Sequence, residues 1–470
     1  MNFTRLVLGV QLVTAGIQLP RNYLQDEWKS LLLLLGPGMA AMWICSSLVI
    51  WGLIPSFRFL HALIVAACLT PTDAVLSNSI IKGKFADKHV PRALQRIIIA
   101  ESGANDGLGY LFLYFGMYLL KYTGTGGGPA KAIGTWLYDT WVYGVILGTV
   151  YGVTVGWFSR KLLQFAAEKH YVDRESFLVF AVTLGLFTLG TCGLIGTDDL
   201  LACFIAGYVF SQDDWFRLET MDDSLQPTID MLLNLSVFVW FGAVCPWTLF
   251  VHNHIIPLHQ LFFLGFLILL VRRMPVVFAM YKYMHQIEHV AHAAFVGFFG
   301  PIGVGAIFFL SASREYLCGI TVDGRMRQDA ERVSDAVNIV VWFLVVSSII
   351  VHGLSIPLVV AGYHLPGTVS SAFSTSFAIE PDPASLPGIQ EAESSRTPQL
   401  FANNQNHGCG IDRKSFRHLF RRIGRSLIRI SFPASLVQPR MGLPGELENP
   451  GGPVADEAER RNLIAAENLV

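Results

Sequence analysis

An all-α integral membrane protein with about eleven transmembrane helices is the fold class this chain predicts, and three observations predict it. The 470 residues are 52% hydrophobic and only 15% charged, with a mean hydropathy of +0.47, whereas soluble domains carry about 25% charged residues. Apolar runs recur at lengths that suit a hydrocarbon layer about 30 Å thick, which a helix of roughly 17–25 residues crosses. Two of these runs carry carboxylates near their middles, at Asp73 and at Glu101 and Asp106. A charge at that depth costs roughly 2.5–3.5 kcal/mol on insertion scales, so it marks a water-filled cavity or a partner.

The spans follow in order near 3–19, 30–53, 59–81, 96–120, 136–158, 176–194, 197–211, 229–250, 258–281, 291–312 and 336–361. The fifth carries Gly144, Gly148, Gly152 and Gly156, one smooth face that admits a close neighbour helix. The seventh is short and opens on Thr197-Asp198-Asp199, so part of its run is polar. Beyond about residue 365 the character changes. Residues 366–410 are rich in Ser, Pro, Asn and Gly and read as disordered, as do residues 440–470. Between them, 413–432 interleaves Phe416, Leu419, Phe420 and Ile423 with Arg413, Lys414, Arg417 and Arg421. A helix lying on an anionic membrane surface suits this pattern; a solvated basic tail or a helix binding a cytosolic regulator suits it equally.

Lysine and arginine in the short loops set the orientation. The loop after the third span holds Lys82, Lys84, Lys88, Arg92 and Arg96, and the loop after the fifth holds Arg160, Lys161, Lys169 and Arg174. The opposite loops are poorer. Residues 313–335 dissent, with Arg314, Arg325, Arg327 and Arg332, although five acids sit among them. The majority places the N-terminus outside and the C-terminal tail in the cytoplasm.

Several function classes fall away. A net charge of −1 gives no argument for nucleic acid. The seven cysteines are scattered, mostly in apolar runs and without a C-x-x-C pair, so neither a disulfide framework nor a zinc site is indicated. The glycines at 124–128 lack the Lys-Ser/Thr of a nucleotide loop. The first run has neither a basic start nor an A-x-A site, so no cleavable signal peptide is predicted. His285, His289 and His292 are helically spaced, and His252 and His254 flank Asn253. Both groups fall at predicted membrane edges, where histidine is common. A metal site or a pH-sensing loop at His289 beside Glu288 is the weaker reading.

The chemistry lies inside the spans. Pro71 cannot donate a backbone hydrogen bond and disfavours helix at Thr70, so the third span should break at Thr70–Asp73. The tenth has a matching interruption at Gly300-Pro301-Ile302-Gly303-Val304-Gly305. Broken backbone at that depth needs protein or a cavity around it. These two spans run in opposite directions, and such a pair points to a secondary transporter built from inverted repeats. In the fourth span Glu101 and Asn105 share a face, with Ser102 and Asp106 one position further round. Such oxygens favour Na⁺, Li⁺ or K⁺, and the carboxylates can take H⁺ instead. A charged Glu101 needs a partner, and Arg272 and Arg273 are the basic residues deep in another long run.

The segments Thr70-Pro71-Thr72-Asp73, Gly83-Lys84-Phe85-Ala86, Glu101-Ser102-Gly103-Ala104-Asn105-Asp106, Gly196-Thr197-Asp198-Asp199, Phe241-Gly242 with Pro246-Trp247, Arg272-Arg273-Met274-Pro275 and Gly300-Pro301-Ile302-Gly303 together resemble the fungal plasma-membrane Na⁺/H⁺ antiporters. The likeness covers about residues 1–365. It implies an inverted-repeat antiporter fold with two broken helices crossing in the core, assembled as a homodimer. Core helices would lie within 30–120 and 258–361, dimer-side helices within 3–19 and 176–250, and a linker helix at 136–158. The implied activity is alternating-access exchange of Na⁺, Li⁺ and often K⁺ for H⁺ across the plasma membrane, serving cation efflux, salt tolerance and pH homeostasis. No cofactor is implied, and the chain is not an enzyme.

The resemblance also implies roles. Asp106 matches the carboxylate that binds Na⁺ or the proton, with Asn105 beside it. Thr72, Asp73 and Ser102 match further cation-site positions. Glu101 and Arg273 match a structural ion pair, although Arg272 is adjacent and could serve. Asp198 and Asp199 match an acidic pair of the fungal branch. Members of the family carry about two more spans ahead of the one that opens here at Phe3, so the chain is expected to lack about two N-terminal helices. A transport-inactive scaffold is therefore the alternative, and a cation channel a more distant one.

Overall fold

The computed structural model describes residues 2–81, 90–124, 127–220, 223 and 225–363. The tail segments 366–410, 413–432 and 440–470, and the lysines at 82, 84 and 88, lie outside the described residues.

The chain opens with α1 (Asn2–Gln18) and α2 (Trp28–Leu53). Pro37 stands inside α2 where the helix widens to a π turn over Leu34–Gly38, which absorbs the hydrogen bond that proline cannot donate. The third span is two half-helices, α3 (Phe59–Leu69) and α4 (Ala74–Ile81), and the intervening residues 70–73 lie at the expected break. Next come α5 (Arg92–Gly124) and α6 (Gly128–Glu168), the latter π-helical over Trp136–Ile146. The seventh helix, α7 (Arg174–Ile195), ends at Gly196, whose φ of 81° only glycine adopts cheaply. Asp198 then caps α8 (Asp199–Phe210), accepting from the Leu201 amide. After α9 (Leu225–Val244) the chain stops helix formation ahead of Pro246. The ninth span divides into α10 (Leu258–Val271) and α11 (Met274–Met280), with Arg272 and Arg273 between them. The tenth divides into α12 (Val290–Phe298) and α13 (Val304–Cys318). A hairpin of β1 (Thr321–Val322) and β2 (Arg325–Met326) turns on Asp323 and Gly324, both at positive φ, and leads into α14 (Gln328–Tyr363).

Some sequence boundaries move. Arg92 and Arg96 belong to the first turns of α5 rather than to a loop, because Pro91 just before Arg92 suits a helix start. The dissenting loop 313–335 shrinks to the small hairpin, since α13 and α14 extend into it and make Arg314 and Arg332 helical. The linker expected at 136–158 is part of a 41-residue helix. Six helices among the described residues are long and apolar enough to cross a membrane: α2, α6, α7, α9, the ninth span and α14. The remaining spans are broken, short or charged.

Glycines bring α8 into the middle of its neighbours. A Cβ at Gly152 of α6 would stand 2.6 Å from the Ala202 carbonyl, and one at Gly16 of α1 would stand 2.6 Å from the Tyr208 amide. The ladder on the fifth span thus serves packing at Gly148, Gly152 and Gly156, where α6 lies against α8. A Cβ at Gly144 would come near only the Asp139 carbonyl of its own helix, at 3.5 Å. In its first half α6 lies along α5 instead. The far side of α8 meets α5, where Leu201 lies against Gly107 and the ring of Phe204 against Gly103.

Candidate functional site at two helix breaks

The two interruptions meet. The Asp73 amide donates to the Pro301 carbonyl at 2.9 Å, tying the break of the third span to that of the tenth. Each break leaves two helix ends in the protein interior, with unsatisfied amides at one and unsatisfied carbonyls at the other. One carboxylate serves both sets of amides. Asp73 Oδ2 accepts from Leu76 N at 2.8 Å at the start of α4, and Oδ1 accepts from Val304 N at 2.8 Å and Gly305 N at 3.4 Å at the start of α13. One guanidinium serves both sets of carbonyls. Arg272 donates to Leu69 O, and at 3.4 Å to Thr70 O and Pro71 O, at the end of α3, and to Gly300 O just beyond α12. The signs follow the helix macrodipole, anion at N-termini and cation at C-termini.

Arg273 has a different partner. Its Nη1 and Nη2 lie 2.6 and 2.7 Å from Glu101 Oε1 and Oε2, while Nε donates to Val296 O at 2.8 Å. Both side chains are almost fully buried, at 3% and 1% exposure. A two-pronged pair in this setting neutralises two charges that could not stay buried singly. Adjacent arginines thus divide the work, which no spacing rule distinguishes.

Asp106 stands apart from these satisfied charges. It is fully buried, and neither carboxylate oxygen has a hydrogen-bond partner within bonding distance. Gly305 makes the room: a Cβ there would lie 2.6 Å from Asp106 Oδ1. Beside it Asn105 is held by Thr72, donating from Nδ2 to Thr72 Oγ1 at 2.7 Å and accepting from Thr72 N at 3.3 Å. Thr72 Oγ1 also lies 3.0 Å from Ser102 Oγ, which reaches Ser77 Oγ at 3.4 Å. The result is one unpartnered carboxylate near a chain of neutral oxygens. A buried polar group without a partner is costly, so such a group calls for a ligand. Among the described residues no three His, Cys, Asp or Glu side chains converge as a metal cluster. A single negative charge with neutral oxygens nearby matches a monovalent ion better than a divalent one.

The other candidates lie elsewhere. Asp198 and Asp199 line a cavity of about 470 Å³ whose walls do not include Asp106. Asp199 pairs there with Arg5, a residue of α1 that the sequence reading did not single out. Arg5 was legible only as a charge near the edge of the first apolar run. His285 lies 3.1 Å from Glu27, and the rings of His289 and His292 are 5.3 Å apart.

Three comparisons bear on this geometry. A family model described as sodium/hydrogen exchanger, transmembrane, matches residues 2–362. The chain is 35% identical over 395 residues to a Na⁺/H⁺ antiporter of Saccharomyces cerevisiae, covering 80% of this chain and 39% of that protein. It is 34% identical over 389 residues to Na⁺/H⁺ antiporter 2 of Zygosaccharomyces rouxii, covering 80% and 47%. To a Na⁺/H⁺ antiporter of Schizosaccharomyces pombe it is 32% identical over 362 residues, covering 76% of each. The chain therefore spans less than half the length of the first two relatives. Among solved structures, the sodium proton antiporter MjNhaP1 of Methanocaldococcus jannaschii superposes with a TM-score of 0.53 at 15% identity, over 74% of this chain and 84% of that one. At that identity the likeness is one of fold.

Proposed function

The chain belongs to the sodium/hydrogen exchanger family, and from its site we propose that it exchanges a monovalent cation for a proton at Asp106. The observation that carries this reading is the buried Asp106 carboxylate with no hydrogen-bond partner where two broken helices meet. A proton or a Na⁺ ion can neutralise it, but not both together. Each must leave before the other loads, and that exclusion couples the two fluxes. Thr72, Asn105 and Ser102 supply neutral oxygens near the ion. Asp73 keeps both half-helix starts in register and Arg272 both ends, so the broken segments can hold a cation site without collapsing. Li⁺ and K⁺ fit the same ligand chemistry. The protein would carry the loaded site across the membrane by alternating access, as core helices move past α1, α7, α8 and α9, in a homodimer of the plasma membrane with a cytoplasmic tail.

Both Asp73 oxygens accept backbone hydrogen bonds, which leaves Asp106 as the carboxylate open to the ion, and one cation should exchange for one proton. The test is purified full chain in proteoliposomes loaded with a pH-sensitive dye. Sodium pulses should drive proton flux in the wild type and none in Asp106→Asn. Retained proton-coupled flux in that variant would remove Asp106 from the role.

A further inference from the structure

The helix that follows each broken span holds that span's break by the corresponding amide. Thr72 comes directly after Pro71, and its amide donates to Asn105 Oδ1 of α5 at 3.3 Å. Ile302 comes directly after Pro301, and its amide donates to Ser348 Oγ of α14 at 2.8 Å. Proline has no amide hydrogen, so in each break the next residue is the first that can be tied down by donation. We propose that Ser348 and His352 are positioning residues of the exchange site: they fix the crossing segment of the tenth span against Asp106 and set how sharply the site prefers sodium to a larger cation. The proposal rests on the antiport reading above.

Ser348 and His352 stand one helical turn apart on α14, share a face and are both buried. His352 Nε2 donates at 2.9 Å to the carbonyl of Phe298, the last residue of α12. A carbonyl only accepts, so Nε2 carries a ring proton. Nδ1 lies 3.1 Å from Ser348 Oγ and 2.9 Å from Ser348 O. The Ser348 hydroxyl takes the Ile302 amide on a lone pair, which leaves its own hydrogen for Nδ1. The rings of His352 and Phe298 also lie against each other, 5.1 Å apart. The pair therefore holds both flanks of the break, the Phe298 carbonyl before it and the Ile302 amide after it.

What lies beyond Ile302 is the wall of the site. A Cβ at Gly303 would stand 2.6 Å from the Asp73 carboxylate, and one at Gly305 would stand 2.6 Å from Asp106 Oδ1. Backbone this close to Asp106 limits the size of the ion that can sit beside it. Selectivity between cations depends on the size of the space and on how rigidly it is held. A fixed wall keeps the short distances that suit a small ion. A loose wall relaxes around a larger one, and the advantage of the small ion is lost. Asn105 performs the same service for Thr72, whose hydroxyl is itself one of the neutral oxygens near Asp106.

The test is equilibrium binding of radiolabelled sodium to the purified full chain, with potassium as competitor, beside thermal unfolding in detergent. In Ser348→Ala and His352→Leu the sodium dissociation constant should rise about tenfold, the low end for losing a group that orients a cation's ligands, and the potassium constant by about threefold or less. Ser348→Thr keeps the hydroxyl and His352→Gln keeps an N–H for Phe298 O, so both should stay near the wild-type ratio of the two constants. Variants that unfold at lower temperature yet keep that ratio would overturn the proposal, because a merely structural clamp moves stability alone. A His352→Gln protein as unselective as His352→Leu would overturn it too. If Ser348→Ala does not fold, the two His352 variants decide by the same ratio. Antiport reads out separately: a wild type that binds sodium selectively but drives no proton flux in proteoliposomes would overturn the exchange reading and leave the clamp in place.

Discussion

Two pairs of neighbouring acids divide their labour in the same way by different means. At the crossing, Asp73 is consumed by the amides of two helix starts while Asp106 keeps both oxygens free. In the cavity, Asp199 is consumed by Arg5 while Asp198 keeps one oxygen free. The first neutralisation uses backbone dipoles, which are fixed in place and cost no side-chain entropy. The second uses an arginine whose side chain is 28% exposed against a carboxylate that is 3% exposed, so water reaches only the cation's side of the pair. A rigid partner suits a site that must keep its shape through many cycles.

That contrast can be broken most severely at Asp106. Asp106→Asn should reduce sodium-driven proton flux in proteoliposomes to background. Next in size is the buried ion pair. Glu101→Ala strands Arg273 and should destabilise the protein by about 3–5 kcal/mol, measured as thermal unfolding in detergent; Glu101→Met/Arg273→Leu should regain most of it. Gly305→Ala comes third. Its methyl would stand 2.6 Å from Asp106 Oδ1, so sodium affinity should fall sharply while stability drops by about 1–3 kcal/mol. Thr72→Val removes the oxygen that holds Asn105 and should weaken sodium binding about tenfold, in line with about 1–3 kcal/mol for a buried donor left unpaired. The smallest stability effect belongs to the Arg5–Asp199 pair. Arg5→Gln removes the cation from a carboxylate that is 3% exposed but keeps a hydrogen-bond donor beside it, so the fall in thermal unfolding should be smaller than in Glu101→Ala. A loss in Arg5→Gln as large as in Glu101→Ala would end the distinction between the two pairs.

Much of this was legible in the residues. Pro71 and the Gly300–Gly305 run announced the breaks, because a missing amide and a missing Cβ act locally wherever the helix lies. Asp73, Glu101 and Asp106 announced themselves by their depth in apolar runs. Helix ends were less legible: α6 runs well beyond 136–158, and α13 and α14 run into the supposed loop, because hydropathy marks where a helix can meet lipid and not where its backbone hydrogen bonds stop.

What the sequence determined by itself is what depends on single residues and their near neighbours: an α-helical membrane chain, two interrupted spans, a carboxylate too costly to be idle, and a glycine face on the fifth span. What only the tertiary structure decided is which charge meets which. Arg272 and Arg273 are identical in type and adjacent, yet one closes the ends of two half-helices and the other pairs with Glu101. Asp73 and Asp106 look alike along the chain, but one faces amides and the other an opening beside Gly305. Arg5 stands 194 residues from Asp199. Pairings of this kind are set by the direction a side chain leaves its helix and by what the fold brings opposite, and neither is a property of local sequence.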